Sequence, residues 1–298
     1  MKVLITGSNG FLGNIINQKL KSSCDIYTLG RQNSDYCIDL SSRKSINFTQ
    51  KFDLVIHAAG KAHMIPKTSI DNDSFFNINV EGTRYLLKSL QSSSIPKQFV
   101  FISSVSVYGS NRGILINENA DLKAVDPYGK SKIQAEAIVQ KWCNENNVLC
   151  TILRLPLIVG PNPPGNLGAM IRGIKKGYYF NIAGGNAQKS VVLAEDIANF
   201  IIDASMVGGI YNLTDGYHPT FNELSKVISF QLGKIGVYNL PKSLAKMFAF
   251  TGDIFGKLFP FNTNMYNKIT STLTFDDSAA KRAFGWNPKP VIENLDIL

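Results

Sequence analysis

The chain alternates short apolar runs with longer stretches in which apolar residues recur every three or four positions. Short runs rich in Val, Ile and Leu are typical of buried strands, and the longer spacing is typical of helices that pack on a sheet. This alternation predicts βαβ units and therefore an α/β fold with a doubly wound parallel sheet. The predicted strands are "KVLITG", "DIYTLG", "CIDL", "LVIHAAG", "QFVFISSV", "CTILRLPLIVG" and "GGIYNLT".

The pattern breaks after Val159, where "GPNPPGNLG" predicts a loop that leaves the sheet. The stretch "VVLAEDIANFIIDA", followed by "GGIYNLT", predicts one return to it. A chain of 298 residues exceeds the usual size of a single domain, so we expect a second, smaller part. We predict a main domain over residues 1–159 and about 191–215, and a smaller mixed α/β C-terminal lobe over about 160–190 and 216–298.

The composition, with 44% apolar residues, is that of a globular protein without disordered segments. The net charge of +9 favours an anionic ligand, but the lysines and arginines are scattered and form no nucleic-acid-binding arm. A phosphorylated small molecule therefore fits better than nucleic acid. The four cysteines and three histidines show no metal-binding spacing, so we predict a reducing, cytoplasmic setting and no metal.

Two apolar segments bear on a membrane location. The opening run "MKVLITG" is too short for a signal peptide, and no run reaches the roughly 20 apolar residues of a membrane-spanning helix. The longest apolar segment, "MFAFTGDIFGKLFPF" at residues 247–261, is interrupted by Asp253, Lys257 and two glycines. We interpret it as lid or core packing and keep a peripheral membrane contact as the alternative.

The first predicted strand runs directly into "TGSNGFLG", which contains Gly7, Gly10 and Gly13. Glycines at this spacing, between a strand and a helix, let the backbone approach a pyrophosphate at the positive end of the helix dipole. This context predicts a Rossmann-type dinucleotide-binding site.

The second strand ends in "LGRQ", at the position where NAD-binding domains commonly present a carboxylate to the ribose hydroxyls. Arg31 offers a cation there, which favours the 2′-phosphate of NADP(H) over the hydroxyl of NAD(H). An arginine that is solvated or stacked on adenine is the alternative, so NAD(H) stays open.

Candidate catalytic residues lie at and after the end of the fifth predicted strand. This strand ends with Ser104 and Ser106, at the edge where open α/β sheets bind ligands. The segment "DPYGKSK" predicts a helix capped by Asp126, on which Tyr128 and Lys132 share one face. A nearby ammonium lowers the pKa of a tyrosine from its usual value of about 10 and makes it a usable acid–base group. A serine hydroxyl then holds the substrate oxygen whose proton moves.

Six motifs stand in a characteristic order along the chain: "TGSNGFLG", "HAAGKAH", "NINVEGT", "SSVSVYG", "YGKSK" and "LRLPLIVGP". In these motifs the chain resembles, over essentially its whole length, the extended short-chain dehydrogenase/reductases of the nucleotide-sugar epimerase/dehydratase group. It looks most like bacterial reductases of UDP-4-keto-6-deoxy-N-acetylhexosamines, through "HAAGKAHMI", "NPPGNLGAMIRGIKKG" and "KSVVLAEDIANFI". The resemblance implies a nucleotide-sugar substrate bound by the lobe, a role in surface polysaccharide synthesis, and a homodimer through the Tyr128 helix and the helix before it.

The resemblance also implies roles for individual residues. Tyr128 is the implied acid–base, Lys132 the group that tunes its pKa and binds the ribose, and Ser104 the hydroxyl that positions the substrate oxygen. The expected substrate contacts are Ser104, Ser106, Tyr128, Asn166 and Lys189. The expected cofactor contacts are Gly7, Asn9, Gly10, Phe11, Leu12, Gly13, Arg31, Asp39, Leu40, Ala58, Ala59, Gly60, Asn79, Tyr128, Lys132, Pro156 and Val159.

Several polar residues near these motifs have a structural interpretation beside the functional one. We expect His57 and His63 to line a loop or pocket rather than to act as bases. Ser106 and Tyr108 are also compatible with packing or hydrogen bonding at the strand end, and Asn79 with tying two elements together. Two tryptophans are expected in the core, Trp142 and Trp286.

The residues after Ser104 separate the reactions of this group. Dehydratases that resemble the chain carry an Asp-Glu pair there, whereas this chain has Val105 and Ser106, so dehydration is disfavoured. We predict reduction of a C4 ketone with NADPH, and keep a 4-epimerase with tightly held NAD as the alternative. A non-catalytic NADP-binding regulator is a third hypothesis, against which the joint presence of the serine, tyrosine and lysine argues.

Overall fold

The computed structural model describes residues 1–42, 44–62, 69–255 and 261–297. Its strands are β1 (Lys2–Thr6), β2 (Asp25–Gly30), β3 (Tyr36–Cys37), β4 (Leu54–His57), β5 (Gln98–Ser104), β6 (Gly113–Ile116), β7 (Leu149–Leu155), β8 (Leu157–Val159), β9 (Phe180–Ile182), β10 (Val191–Leu193), β11 (Gly209–Asn212), β12 (Tyr238–Leu240) and β13 (Leu273–Phe275). Its α-helices are α1 (Phe11–Leu20), α2 (Ser69–Phe76), α3 (Gly82–Ser93), α4 (Pro127–Glu145), α5 (Gly165–Lys176), α6 (Ala194–Ser205), α7 (Phe221–Gln231), α8 (Lys242–Phe255), α9 (Thr263–Thr270), α10 (Ser278–Phe284) and α11 (Val291–Asn294).

Within the described residues, seven strands form one parallel sheet in the order β11-β7-β5-β4-β1-β2-β3. The predicted doubly wound α/β fold is therefore confirmed. The strand order reverses at β1, because the chain first builds toward β3 and then returns to add β4 on the other side of β1. Ligands of open parallel sheets bind in the crevice that such a reversal opens at the carboxyl ends of the strands.

Successive residues of each central strand serve opposite faces of the sheet, as the two-residue period of a strand requires. In β1, Val3 and Ile5 pack in a core with α1 and α6, whereas Leu4 packs in a second core with α3 and α4. Neighbouring residues of β5 alternate in the same way, with Val100 on the first face of the sheet and Phe101 on the second. The result is a three-layer arrangement in which both faces of the sheet are buried.

Two predicted strands are shorter than the sequence pattern indicates. The run "CIDL" at residues 37–40 contributes only Cys37 to β3. The strand ends there because the Asp39 side chain accepts a hydrogen bond from the Ser41 backbone N–H at 2.9 Å and starts a 3-10 turn at Leu40–Ser42. The run "CTILRLPLIVG" divides at Pro156, which lacks the N–H that a central strand needs.

The smaller lobe is built from short parallel strand pairs, β8 with β10, β9 with β12 and β6 with β13. Its own core joins α5, α7 and α11 around Val159, Leu167 and Leu224. The chain does not follow the predicted boundaries strictly, since β6, β8 and β10 lie in the segments predicted for the main domain, and Trp286 of the predicted lobe packs in the core of the main sheet. The division at residues 159, 191 and 215 stays a prediction.

Two features of the sequence fall wholly or partly outside the described residues. His63 lies there, as do residues 256–260 of the 247–261 segment. The part of that segment that is described belongs to α8 and to Phe261. Among the helices that the structure describes, none is both long enough and apolar enough to span a bilayer.

Candidate active site

The loop after β1 is closed by glycines that leave no space for a side chain. Gly7 has φ +71°, and a Cβ atom there would lie 2.7 Å from the backbone nitrogen of Ala59. A Cβ on Gly13 would lie 2.2 Å from the carbonyl oxygen of Gly7, to which the N–H of Gly10 donates at 2.9 Å. Gly10 precedes α1 without a side-chain cap, so the first N–H groups of the helix are available to an anion. This cradle fits a dinucleotide pyrophosphate.

The other expected cofactor contacts in this loop divide between the crevice and the core. The Asn9 amide donates to the carbonyl oxygen of Gln32 and so ties the glycine loop to the end of β2. The Phe11 ring lies against Gly160, whose added Cβ would approach the ring to 3.2 Å. Leu12 is buried in the main core, so it can meet a cofactor only through its backbone.

The loop after β4 meets α4 across the same crevice. Asn79 is buried within a π-helical turn, Asn77–Glu81, and its amide accepts from the Lys61 N–H at 2.7 Å and donates to Ser131 Oγ at 2.9 Å. A Cβ on Gly60 would lie 3.2 Å from Asn79 Oδ1 and 3.3 Å from Lys132 Nζ. Asn79 therefore fixes the distance between the loop and the Tyr128 helix, and Gly60 leaves the space beside the lysine.

Helix α4 begins as the sequence predicts, with Asp126 accepting the Gly129 N–H at 2.9 Å. Gly129 has a further role that the sequence analysis missed. A Cβ there would lie 2.8 Å from the Ser106 carbonyl oxygen and 2.5 Å from the Ala124 Cβ. The glycine thus lets the first turn of α4, which carries Tyr128, approach the end of β5.

Ser104 and Tyr128 meet at this contact. Ser104 caps the 3-10 turn Val105–Tyr108 through a 3.2 Å hydrogen bond from the Ser106 N–H, and its hydroxyl donates to Ser106 Oγ at 3.2 Å. Burial raises the pKa of Tyr128 above its usual value, and a hydrogen bond with the Ser104 side chain partly opposes that rise. The Phe75 ring lies 6.0 Å from the tyrosine ring, centroid to centroid, and covers it.

Lys132 reaches the same place from one turn further along α4. Its Nζ donates to the Ile102 carbonyl oxygen at 2.8 Å and lies 4.7 Å from the centroid of the Phe101 ring. Burial lowers the pKa of Lys132 to about 8. The expectation of a lowered Tyr128 pKa is therefore wrong for this arrangement, because the ammonium bonds to the strand and burial of the phenol dominates.

A buried polar network lies beneath these groups, and the sequence analysis missed most of it. Glu136 and Arg154 form an ion pair at 2.8 Å with both side chains 3% exposed, and Ser103 donates to the same carboxylate. Arg154 also donates to the Tyr108 hydroxyl at 3.1 Å, which donates to Asn212 Oδ1 at 2.8 Å. The network joins α4 to β5, β7 and β11. Its signal in the sequence was an arginine inside the apolar run "ILRLPL" and a glutamate one turn after Lys132.

His57, which was expected to line a loop or pocket, is instead a buried residue at the end of β4. Its Nδ1 lies 2.6 Å from Thr6 Oγ1 and its Nε2 lies 2.9 Å from Thr83 Oγ1. Because Thr83 donates to the Asn79 carbonyl oxygen and Thr6 accepts the Ala59 N–H, the chain of bonds requires a proton on Nε2 and none on Nδ1. Burial, together with the charge of Lys132, lowers the pKa of His57 to about 3, so the ring stays neutral.

The end of β2 carries more acidic groups than the sequence analysis considered. Arg31 is exposed, and its charge contributes to a lowered Asp39 pKa, which hydrogen bonds from Ser41 lower more strongly. Asp35, which was missed, accepts from the Thr28 N–H at 2.8 Å and from its hydroxyl at 2.7 Å. Carboxylates therefore accompany the cation at the position that selects between NAD(H) and NADP(H).

The remaining expected cofactor residues differ in how deeply they are buried. Leu40 is buried against α3, where a Cβ on Gly82 would lie 3.0 Å from it. Ala58 packs on the main core, and the side chain of Val159 is fully buried in the core of the lobe. Pro156 is half-buried between β7 and β8.

The expected diphosphate contacts lie on the lobe. Asn166 is exposed in the first turn of α5, which no side chain caps. Lys189 donates to the carbonyl oxygens of Lys268 and Ser271 at 3.0 and 2.8 Å, at the C-terminal end of α9, and burial lowers its pKa to about 8. The helix end thus holds the ammonium that was expected to meet the substrate.

Comparison with known proteins identifies the family. The model of the NAD dependent epimerase/dehydratase family matches residues 3–213, more than half of the chain. The chain belongs to this family. The protein is therefore an NAD-dependent enzyme of the nucleotide-sugar epimerase/dehydratase type.

Two curated relatives match nearly the whole chain. The N-acetyl-α-D-glucosaminyl-diphospho-ditrans,octacis-undecaprenol 4-epimerase of Escherichia coli O157:H7 is 26% identical and covers 99% of this chain and 93% of its own. The UDP-glucose 4-epimerase of Vibrio cholerae is 26% identical over 98% of this chain and 92% of its own.

Solved structures of this family share the fold. RMD from Pseudomonas aeruginosa, complexed with NADPH, has a TM-score of 0.75 at 19% identity, covering 99% of this chain and 96% of its own. MoeE5, in complex with UDP-glucose and NAD, has a TM-score of 0.76 at 18% identity, covering 98% and 95%. Both NADPH and NAD thus occur among the structural neighbours.

Breaking the buried ion pair between Glu136 and Arg154 should strongly lower the free energy of unfolding. Arg154→Met leaves Glu136 charged and buried, so we expect the free energy of unfolding to fall by about 3–5 kcal/mol. Denaturant unfolding measures the loss. The matched control is Lys141→Met, which removes an exposed pair with Glu145 on the same helix and should cost less than about 1 kcal/mol. Equal losses from the two changes would contradict a special role for the buried pair.

Lys132 should make stability depend on pH in a direction opposite to that of a typical salt-bridged lysine. Because its folded pKa of about 8 lies below the unfolded value of about 10.4, charging it penalises the folded state below pH 8, and that penalty disappears as pH rises to 10.4. We expect nucleotide-free wild type to gain about 2 kcal/mol relative to Lys132→Met between pH 7.5 and 10. Unfolding of both proteins across that range measures it, with exposed Lys130→Met as the substitution control. A pH-independent difference would show that Lys132 is equally protonated in both states.

Proposed function

We propose that the protein is a 4-epimerase of a UDP-sugar, which oxidises C4 and reduces it again on the opposite face. The observation that carries this proposal is the meeting of Ser104, Tyr128 and Lys132 beside the glycine cradle. The two curated relatives that match almost the whole chain are both named as 4-epimerases, which supports epimerisation over other reactions of the family.

The proposed roles follow from the positions of the side chains. Tyr128 exchanges a proton with the C4 oxygen, and Ser104, which bonds to it, holds that oxygen in place. Bound nicotinamide supplies the hydride acceptor and donor at C4. Lys132, whose ammonium lies beside Gly60, binds the ribose of the cofactor.

Dehydration is a poorer match to the same site. Elimination of water requires a further acid and base, and Ser104 is followed by Val105 and Ser106. The nearby buried carboxylate of Glu136 is held by Arg154 and accepts from Ser103, so it is already engaged.

A second candidate function is the NADPH-dependent reduction of a UDP-4-keto-6-deoxy-N-acetylhexosamine in bacterial surface polysaccharide synthesis. Arg31 at the end of β2 favours it, because a cation there suits the 2′-phosphate of NADP(H). Asp35 and Asp39 nearby weaken that preference by their negative charge. The two reactions use the same groups and differ in whether the reduced cofactor is spent.

The substrate of either reaction is proposed to be held through its diphosphate. Exposed Asn166 lies at the uncapped start of α5, where helix N–H groups favour an anion. Lys189 adds a cation on the same lobe. A homodimer through α3 and α4, and a cytoplasmic location, stay predictions.

Turnover distinguishes the two candidates and tests the tyrosine. We expect the protein to interconvert UDP-N-acetylglucosamine or UDP-glucose with its C4 epimer without added reduced cofactor, as followed by NMR. The reductase would instead consume NADPH with UDP-4-keto-6-deoxy-N-acetylglucosamine. In either assay Tyr128→Phe should lower the rate by at least a hundredfold while cofactor binding persists, because only the hydroxyl is lost. Exposed Tyr178→Phe is the matched control. Unchanged turnover by Tyr128→Phe would remove Tyr128 from its role.

If the Arg31 guanidinium contacts the 2′-phosphate of the cofactor, Arg31 selects NADP(H) over NAD(H). Arg31→Ala should then weaken NADPH binding about tenfold and leave NADH binding unchanged, since only the phosphate contact is lost. Titration of both cofactors, with exposed Arg84→Ala as control, measures this. An equal change for both cofactors would indicate that Arg31 contacts the part they share.

A further inference from the structure

Helix α8 packs on the lobe through its small residues. Ala245, Ala249 and Gly252 are its buried positions, and they recur at the spacing of one helix face. Ala245 and Ala249 lie in a small core with Tyr266 of α9. The side of α8 that faces the protein therefore contributes little apolar area.

The large apolar residues of α8 point the other way. At 3.6 residues per turn they cover an arc of about 160° on the side opposite the small residues. A surface helix normally buries this face, so its exposure marks an interaction site. The residues and their exposed fractions are Leu244 42%, Met247 53%, Phe248 40%, Phe250 64%, Ile254 65% and Phe255 61%.

The exposed apolar surface continues beyond the helix. The strand pair β9 and β12 supports α8 through Ile182 and Leu240, and its exposed aromatic residues Phe180 and Tyr238 lie 6.4 Å apart, centroid to centroid. The exposed residues of α8, Phe180 and Tyr238 together form what we call the α8 surface.

The segment of the chain that contains α8 carries charge of one predominant sign. Between Lys226 and Phe275 the chain holds six lysines and a single acidic residue, Asp253. Exposed Lys242 and Lys246 flank the apolar arc on one side. Lysines beside an apolar arc are complementary to a binding partner whose polar outer layer carries negative charge and whose interior is apolar.

We propose that the α8 surface docks the protein on an anionic lipid bilayer, with α8 lying in the plane of the interface. Its aromatic and aliphatic arc enters the acyl boundary, and the lysines meet the lipid headgroups. A second copy of the chain would bring the same lysines together, and the charge opposes that contact. The proposal concerns a surface binding, since among the described helices none is able to span a bilayer.

Docking through α8 positions the lobe at the membrane. Helix α8 packs on α9, whose C-terminal carbonyl oxygens hold Lys189. The bilayer contact and Lys189 are thus parts of one packed unit. The proposal itself does not depend on which sugar reaction the crevice performs.

Sedimentation with vesicles tests the proposal on the full chain. We expect wild type to sediment with vesicles of phosphatidylcholine and phosphatidylglycerol, and at least tenfold more weakly with phosphatidylcholine alone. Phe250→Ser with Ile254→Ser should weaken binding to the anionic vesicles at least tenfold. Lys242→Gln with Lys246→Gln should reduce the preference for anionic lipid. The unfolding midpoint should stay unchanged, because all four side chains are exposed.

The matched control replaces two exposed apolar residues of the main domain, Ile70→Ser with Ile95→Ser, and should bind vesicles as wild type does. Absence of wild-type protein from the anionic pellet would overturn the proposal, as would equal binding by the α8 variant and wild type. Sedimentation velocity adds a third outcome. A wild-type oligomer that the α8 variant dissociates, without vesicle binding by either, would make the surface an interface between copies and also overturn lipid docking.

Discussion

The geometry of the site depends on the buried ion pair between Glu136 and Arg154. It joins the helix that carries Tyr128 and Lys132 to the strand beside the one that ends in Ser104. Two charges removed from water are tolerated only when their hydrogen bonds are satisfied, and Ser103 and Tyr108 supply those bonds. An ion pair of this kind permits one position of the helix on the sheet, because any shift would leave a buried charge without its partner.

Close backbone contacts complete the same positioning on either side of α4. Gly129 lets the helix approach the end of β5, and Gly60 leaves space beside Lys132. At the other side of the crevice Gly7 and Gly13 bring the first loop and α1 together. Each of these positions excludes a Cβ atom, so the crevice is shaped by the absence of side chains as much as by the polar groups that line it.

Burial determines the electrostatics of the site. It raises the pKa of Tyr128 and lowers that of Lys132 to about 8, so both groups move toward their neutral forms. It also keeps His57 neutral, as a link between β1, β4 and α3 rather than a base. The lobe differs in that most of the chain's net positive charge and the exposed apolar face of α8 occur together there. The protein thus separates a crevice whose titratable groups are shifted by burial from a basic, apolar surface.

The sequence by itself determined the strand and helix alternation, the glycine loop and the Asp126 cap. These are local features, since strand period, turn chemistry and capping depend on residues a few positions apart. The tertiary structure alone decided that Glu136 pairs with Arg154, that Lys189 meets the end of α9, and that α8 turns its large residues outward. Those outcomes depend on which distant segments share a buried volume, and the free energy of burying a charge or an apolar face is fixed only when the partners are in place.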